Sequence, residues 1–280
     1  MNKQLIDLFI KNAIAEDLGD GDHTSLSTIP IHADGRAKLI VKEAGVLAGV
    51  ELAIEIFNQI DANLTTTVFY ADGANVNYGD VVLTVSGKVH SILLAERLVL
   101  NCMQRMSGIA TKTNRIVNLL KPYKAKILDT RKTTPGLRYL EKWAVRIGGG
   151  VNHRIGLYDM ILIKDNHVDY AGGISNAIDA ANTYLKESGK KLEIEIEVRD
   201  LSELDQVLAK GNVDRIMLDN FNFGDLKSAV SLIGERYITE ASGGILEENI
   251  AEYAACGVDY ISMGALTHSV KSLDMSLKAY

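Results

Sequence analysis

The chain has 280 residues, 47% hydrophobic and 24% charged, with a formal net charge of -6. That composition is ordinary for a globular protein large enough to bury a core in one or two domains. The acidic balance speaks against a broad nucleic-acid surface, and no run approaches the roughly 20 apolar residues that a membrane span needs. With three prolines and no low-complexity stretch, linkers and disorder are not expected.

Near the start, Leu5, Leu8, Phe9, Ala13 and Ile14 recur at helical spacing, broken by Asp7, Lys11 and Glu16, which reads as a helix and not as a signal peptide. The turn-rich cluster 16–25 (EDLGDGDHTS) reads as a capped junction in preference to a metal loop. Short β-like runs follow at 36–49, 65–73 and 77–93, separated by Gly, Asp and Asn turn signals and interrupted by helical patterns at 51–59 and 93–107, so a small α+β domain is expected. In the last of these helices Arg97, Asn101 and Arg105 share one face. They form intrachain salt bridges or face another subunit. Cys102 and Cys256 lie in apolar helical patterns and read as reduced, buried thiols of a cytoplasmic protein.

Beyond residue 110 the rhythm changes. Six apolar runs, 126–130, 160–164, 192–198, 215–219, 237–241 and 259–264, each end in a polar or glycine cluster, and most lead into amphipathic helices. The last four end near Glu197, Asp219, Ala241 and Met263, each 22 residues after the one before, which is the period of parallel strands with helical crossovers. Asp200 and Glu203 form a plausible capping box, and Gly211, Gly234 and Gly257 stand where helices end. A seventh strand is to be sought near 111–120 or 145–152. A barrel of the TIM type, incomplete if the seventh is missing, is the leading architecture, with a doubly wound open sheet as the alternative.

In such barrels the chemistry sits at the C-terminal ends of the strands. The window Asp129–His167 is cationic within an acidic protein, with seven Lys or Arg against four acids, which suggests a small-anion site. Arg131 and Lys132 leave the first strand and can grip a carboxylate or phosphate, a solvated loop pair being the alternative. Lys164 ends an apolar run and needs a ligand or a buried acid as partner. His153 and Arg154 follow Gly148, Gly149 and Gly150, which either expose backbone N–H groups to an anion or make a turn. Glu193, Glu195 and Glu197 alternate on one strand face. Glu197, nearest the exit, is the one expected to reach a ligand, and Asp219 occupies the matching exit on the next strand. Ser242, Gly243 and Gly244, with Gly264 and Ala265 on the following strand, resemble a phosphate cradle. The histidines lack zinc-ligand spacing.

Together these stretches, EDLGDGDHTS, AERLVLNCMQRMSGIAT, DTRKTTPGLR, GGGVNHRIGLYDMILIKDNH, IEIEV, MLDNF, ASGGI and SMGALTHS, resemble the quinolinate phosphoribosyltransferase family, in the family's order and over nearly the whole chain. The resemblance implies an N-terminal α/β sandwich over 1–110. It also implies an open, TIM-like α/β barrel over 111–280, with a final helix packing back on the first domain. It implies transfer of a phosphoribosyl group from phosphoribosyl pyrophosphate to quinolinate with decarboxylation, giving nicotinate mononucleotide, pyrophosphate and CO₂ on the de novo route to NAD. It implies a quinolinate pocket of Thr130, Arg131, Lys132, His153, Arg154 and Lys164, completed by Arg97 from the other subunit of a homodimer, with a hexamer as an alternative assembly. It implies a phosphoribosyl pyrophosphate site of Lys132, Glu197, Asp219, Ser242, Gly243, Gly244, Met263, Gly264, Ala265 and His268, with Mg²⁺ carried by that substrate near Glu197 and Asp219. Lys132, Lys164, Glu197 and Asp219 would carry the catalysis. A molybdenum-transport-associated paralogue of the same fold is the alternative.

Overall fold

The computed structural model describes residues 3–280 and divides the chain into two compact units. The first comprises the chain up to Asn114 together with Thr134–Gly149 and Ser269–Tyr280. The second comprises Arg115–Thr133 and Gly150–His268.

The first unit opens with helices α1 (Lys3–Leu18) and α2 (His23–Thr28). Asp22 caps α2 by accepting from Ser25 N at 3.0 Å, so the acidic junction is a cap, as its turn residues suggest. The strands β1 (Asp34–Val41), β2 (Gly45–Val46), β3 (Thr65–Val68), β4 (Asn75–Val76) and β5 (Val81–Lys88) follow, with α3 (Val50–Ile60) between β2 and β3. In β1 Ala37, Leu39 and Val41 are buried and alternate with more exposed residues, the period-2 pattern of a half-buried strand. In α3 Val50, Ala53, Ile56 and Phe57 are buried at 3.6-residue spacing. Helix α4 (Val89–Leu120) is longer than the periodic segment read from sequence and carries the chain into the second unit.

Two segments return to the first unit, and both depart from a boundary at residue 110. Helix α5 (Arg138–Ile147) returns because Glu141, fully buried, takes the guanidinium of Arg105 (2.8 and 3.1 Å) and the amide and hydroxyl of Thr134 (3.1 and 2.8 Å). The chain's last element is a strand and not the expected helix. Met275–Ala279 pairs antiparallel with β1, placing Leu277 opposite Leu39, and completes a four-stranded sheet. With Met275 and Leu277 buried and Ser276 less so, the segment alternates as a strand does.

The second unit contains the six runs read as strands, β6 (Lys126–Leu128), β7 (Ile161–Ile163), β8 (Ile194–Val198), β9 (Arg215–Asp219), β10 (Ile238–Ser242) and β11 (Tyr260–Ser262), in one parallel sheet ordered β6-β11-β10-β9-β8-β7. Val151 makes a parallel bridge with Leu128 on the open side of β6, so the seventh position lies within the window 145–152. The last strand, β12 (Met275–Ala279), belongs to the first unit, on the edge of β1.

Helices α6 (Asp165–Ala171) and α7 (Ile174–Ser188) follow β7. Helices α8 (Leu201–Lys210), α9 (Phe223–Ile233), α10 (Ile250–Ala255) and α11 (Ala265–His268) follow β8 to β11. Asp200 accepts from Glu203 N at 2.8 Å, but the Glu203 carboxylate reaches back to Arg199 N, one residue beyond the partner of a full capping box. Gly211 and Gly234 end α8 and α9 with positive φ.

The sheet is rolled. His153, two residues past Val151, lies 2.7 Å from Glu195 of β8. In a flat sheet five strand spacings would separate them by roughly 24 Å. Side chains from alternate strands thus meet inside an open barrel, and the doubly wound alternative is set aside.

Candidate functional site

Within the second unit the strand exits surround a cavity of about 800 Å³. Every site residue expected from the sequence lines it except Arg97: Thr130, Arg131, Lys132, His153, Arg154, Lys164, Glu197, Asp219, Ser242, Gly243, Gly244, Met263, Gly264, Ala265 and His268. Arg97 sits on α4 of the first unit with its side chain 73% exposed and a long 4.0 Å ion pair to Glu96. The cationic window divides: Arg131, Lys132, Arg154 and Lys164 reach the cavity, while Arg138, Lys142 and Arg146 belong to α5.

The cationic side is built from three segments. After β6 the buried Asp129 accepts from His153 N at 2.9 Å and from the Asn152 side chain, holding the 152–154 strap against the strand exit. Arg154 is buried and donates to Met160 O at 3.2 Å. Burial, and then the neighbouring Arg131, push its guanidinium below the ordinary arginine range. Arg131 Nε is buried with no hydrogen-bond partner. Lys164 leaves β7 and binds the carboxylate of the buried Glu197 at the end of β8, so the buried-acid partner expected for it exists.

Lys132 is held by its backbone, its N–H on Thr130 Oγ1 (3.0 Å) and its carbonyl taking the Thr267 hydroxyl (2.8 Å). Its side chain crosses Gly264, where a Cβ would lie 2.9 Å from Lys132 Cδ and 3.1 Å from the His268 ring. Gly264 is therefore where lysine and histidine come together over bare backbone.

On the other side Asp219 is braced by the Asn220 amide at 2.6 Å. Asn220 has φ 57, a left-handed conformation that asparagine tolerates, and its N–H donates to Ser242 O at 2.8 Å. Gly243 and Gly244 follow with φ 90 and 62. Successive glycines in this conformation turn backbone N–H groups to one side, as an anion nest does. The nest does not lie on a helix end, because α10 begins only at Ile250. Asn249 accepts from Leu246 N at 2.8 Å and closes a turn first.

The Gly148–Gly150 triplet does not line the cavity. A Cβ on Gly148 would lie 2.5 Å from Ala110 O and 2.7 Å from Thr113 Cβ, so that glycine serves close packing. Asp129, Asn220 and Glu240, strand-end residues read without a ligand role, also line the cavity, and Glu195, read with Glu193 and Glu197 on one strand face but not as a ligand contact, lies beneath it. An acid inside an otherwise apolar strand was the available signal for the two glutamates.

A cavity with four cationic side chains on one side, carboxylates and a glycine nest on the other, suits a ligand that is polyanionic at both ends with a polyol between.

Residues 22–107 match the family described as quinolinate phosphoribosyl transferase, N-terminal domain, and residues 109–278 match its C-terminal domain. A quinolinate phosphoribosyltransferase [decarboxylating] 1b of Nicotiana tabacum is 48% identical over 284 residues, 96% of this chain and 81% of that protein. The crystal structure of NadC from Streptococcus pyogenes has TM-score 0.93 at 40% identity, covering 99% of this chain and 97% of that one. The nicotinate-nucleotide pyrophosphorylase structure from Francisella tularensis has TM-score 0.92 at 41% identity, covering 100% and 98%.

Proposed function

Because this chain belongs to the quinolinate phosphoribosyltransferase family, we propose that its cavity holds quinolinate on the cationic side and phosphoribosyl pyrophosphate along Asp219 and the glycine nest. The chain is an enzyme of de novo NAD synthesis. It transfers the phosphoribosyl group to quinolinate with loss of CO₂, yielding nicotinate mononucleotide and pyrophosphate, and the molybdenum-associated alternative falls away.

The observation that carries the pocket assignment is the pairing of Arg131 and Arg154. Two guanidiniums stand together, one buried, the other with an unpartnered buried Nε. Like charges so placed call for a dianion, and adjacent carboxylates supply one. His153 and Lys164 complete the shell, with Thr130 at its edge. Pyrophosphate departure builds positive character at the ribose, which Glu197 and Asp219 favour, while Lys132 and His268 offset charge on the leaving group. Ser242, Gly243, Gly244, Met263, Gly264 and Ala265 hold phosphate through backbone and hydroxyl. Positioning and electrostatics suffice, and no general base is required.

Mg²⁺ fits as an ion delivered by its substrate. Glu197 is engaged by Lys164 and Asp219 by Asn220, so these carboxylates form no protein cage, whereas Mg²⁺ commonly uses one or two carboxylates with phosphate oxygens. Bound there, it neutralises phosphate charge.

The exposed Arg97 supports a homodimer in which it enters the other subunit's pocket. Mixing Arg97→Ala with Lys164→Ala protein should then restore about a quarter of wild-type activity, as random re-pairing in a two-fold dimer gives, and no recovery would refute sharing. A cytoplasmic location is the reading supported by two free, buried cysteines, although plant relatives carry chloroplastic and mitochondrial names.

The direct test supplies phosphoribosyl pyrophosphate and Mg²⁺ with quinolinate or nicotinate and follows mononucleotide and CO₂. Product with equimolar CO₂ from quinolinate is expected. Product from nicotinate alone, or from neither, overturns the reading.

A further inference from the structure

At the floor of the cavity, where His153 and Glu240 line it and Glu195 lies behind them, three titratable groups meet with almost no exposure to water. His153 Nε2 is 2.7 Å from Glu195 Oε2 and 3.5 Å from Glu240 Oε2, and both glutamates are fully buried. Glu195 Oε1 and both oxygens of Glu240 have no hydrogen-bond partner of good geometry, although Ser262 lies alongside. Two ionised carboxylates cannot stand in contact in a dry interior without a cation between them. A divalent ion would have to sit among His153, Glu195 and Glu240, but the 2.7 Å contact is already a hydrogen bond in which the imidazole and Glu195 satisfy each other. A proton therefore resolves the pair with the least change.

We propose that Glu195 and Glu240 are positioning residues for the quinolinate pocket. Glu240 stands as the neutral acid and donates to Glu195, and the Glu195 carboxylate accepts from Nε2–H of His153 and fixes its ring. The proposal rests on the reading of His153 as a quinolinate contact.

The groups facing Glu240 favour this state. Burial and then Glu195 of β8 raise its carboxyl well above the ordinary value, and Ser262 of β11 and Arg215 of β9 oppose this less strongly. Glu195 faces Glu240, and its imidazole partner comes from the strap that Asp129 holds. The two glutamates thus work as a wedge behind the substrate-facing histidine. A neutral carboxylic acid kept in an apolar site as a hydrogen-bond donor is an established device.

Glutamine is the shape of a protonated glutamate. Glu240→Gln should recover most of the activity that Glu240→Ala loses. In the alanine variant the loss should fall on KM for quinolinate, by about 10-fold or more, with KM for phosphoribosyl pyrophosphate within about 2-fold. Wild-type quinolinate KM should also rise at alkaline pH as Glu240 ionises, and Glu240→Gln should lack that rise. In the unaltered protein ¹⁵N-histidine NMR, assigned with His153→Gln, should find Nε2 of His153 protonated through neutral pH, a readout that does not depend on any glutamate variant folding. Three results would overturn the proposal: Glu240→Gln as impaired as Glu240→Ala, a deprotonated Nε2, or a stoichiometric divalent metal in the purified protein that Glu240→Gln removes. If instead His153→Gln leaves quinolinate KM unchanged while Nε2 is protonated, the pocket reading fails and the proton arrangement stands.

Discussion

The ammonium of Lys164 binds the carboxylate of Glu197, so the side chain assigned to the pyridine and the one assigned to the ribose are partners before either substrate arrives. Both must be released, or shared, when the ligands bind. Lys164→Ala should lower kcat/KM for quinolinate by about 10²-fold or more, the scale of losing one preorganised charge. Lys164 is half exposed and Glu197 lines the open cavity, where water can take the freed carboxylate, so the accompanying stability loss should be only about 1 kcal/mol. Wild-type turnover in Lys164→Ala and Arg131→Ala would defeat the cationic-pocket account.

The Arg105–Glu141 pair makes the opposite prediction, a large effect on stability. Glu141 is fully buried and takes three of its four hydrogen bonds at its Oε1 atom, two of them from Arg105. Arg105→Ala strands that charge and should cost about 3–5 kcal/mol, read as a fall in Tm on the order of 10 °C. Arg105→Lys should recover only part, because the two-point guanidinium contact is lost. A Tm within a degree of wild type would show that the pair contributes nothing.

Gly243→Ala tests the nest. The added Cβ would collide with Asn220 Oδ1 and lie 2.9 Å from Asn220 N, and φ at this position is 90. Since Asn220 also braces Asp219, the variant should raise Kd for phosphoribosyl pyrophosphate by at least about 10-fold while quinolinate affinity changes little. Isothermal titration with each substrate separately measures both.

Glu240 gives a pH dependence of stability. Its carboxyl is raised above the reference value of 4.5 by burial and by Glu195, so the folded state keeps a proton that the unfolded chain releases. The resulting stabilisation is whole below that reference pH and is lost as pH rises through the folded-state value. Glu240→Gln does not titrate, so its Tm should gain on wild type steadily as pH rises above about 4.5. A pH-independent difference would contradict the shift.

Cys102 should be inert. Burial pushes its thiol up to about 12, so almost none is thiolate at neutral pH. Native protein should resist alkylation at Cys102 by iodoacetamide, and denaturant should expose it. Rapid labelling of native protein at this residue would refute its burial.

Much of the second unit was legible because parallel strands buried on both faces read as apolar runs, and their polar ends are where a barrel keeps its chemistry. The allocation of segments between the units was less legible. Helix α5 is amphipathic, and periodicity reveals that a helix has a buried side without revealing what covers it. The partner of Glu141 is Arg105, 36 residues away. The tail Met275–Ala279 is too short for its period to decide between helix and strand, and its pairing with β1 is what fixes it. The roles of Glu195 and Glu240 were not legible, because they lie in each other and in His153, a relation that exists only once the sheet is rolled.

The pairing of β12 with β1 has a bearing on how the protein is made. The ribosome delivers β1 more than 200 residues before the strand that covers its edge. Until then the backbone row from Ala37 to Val41 offers unpaired hydrogen-bonding groups to any extended neighbour. The nascent first unit therefore keeps an open sheet edge through most of synthesis, its native sheet waiting on a pairing between strands more than 200 residues apart.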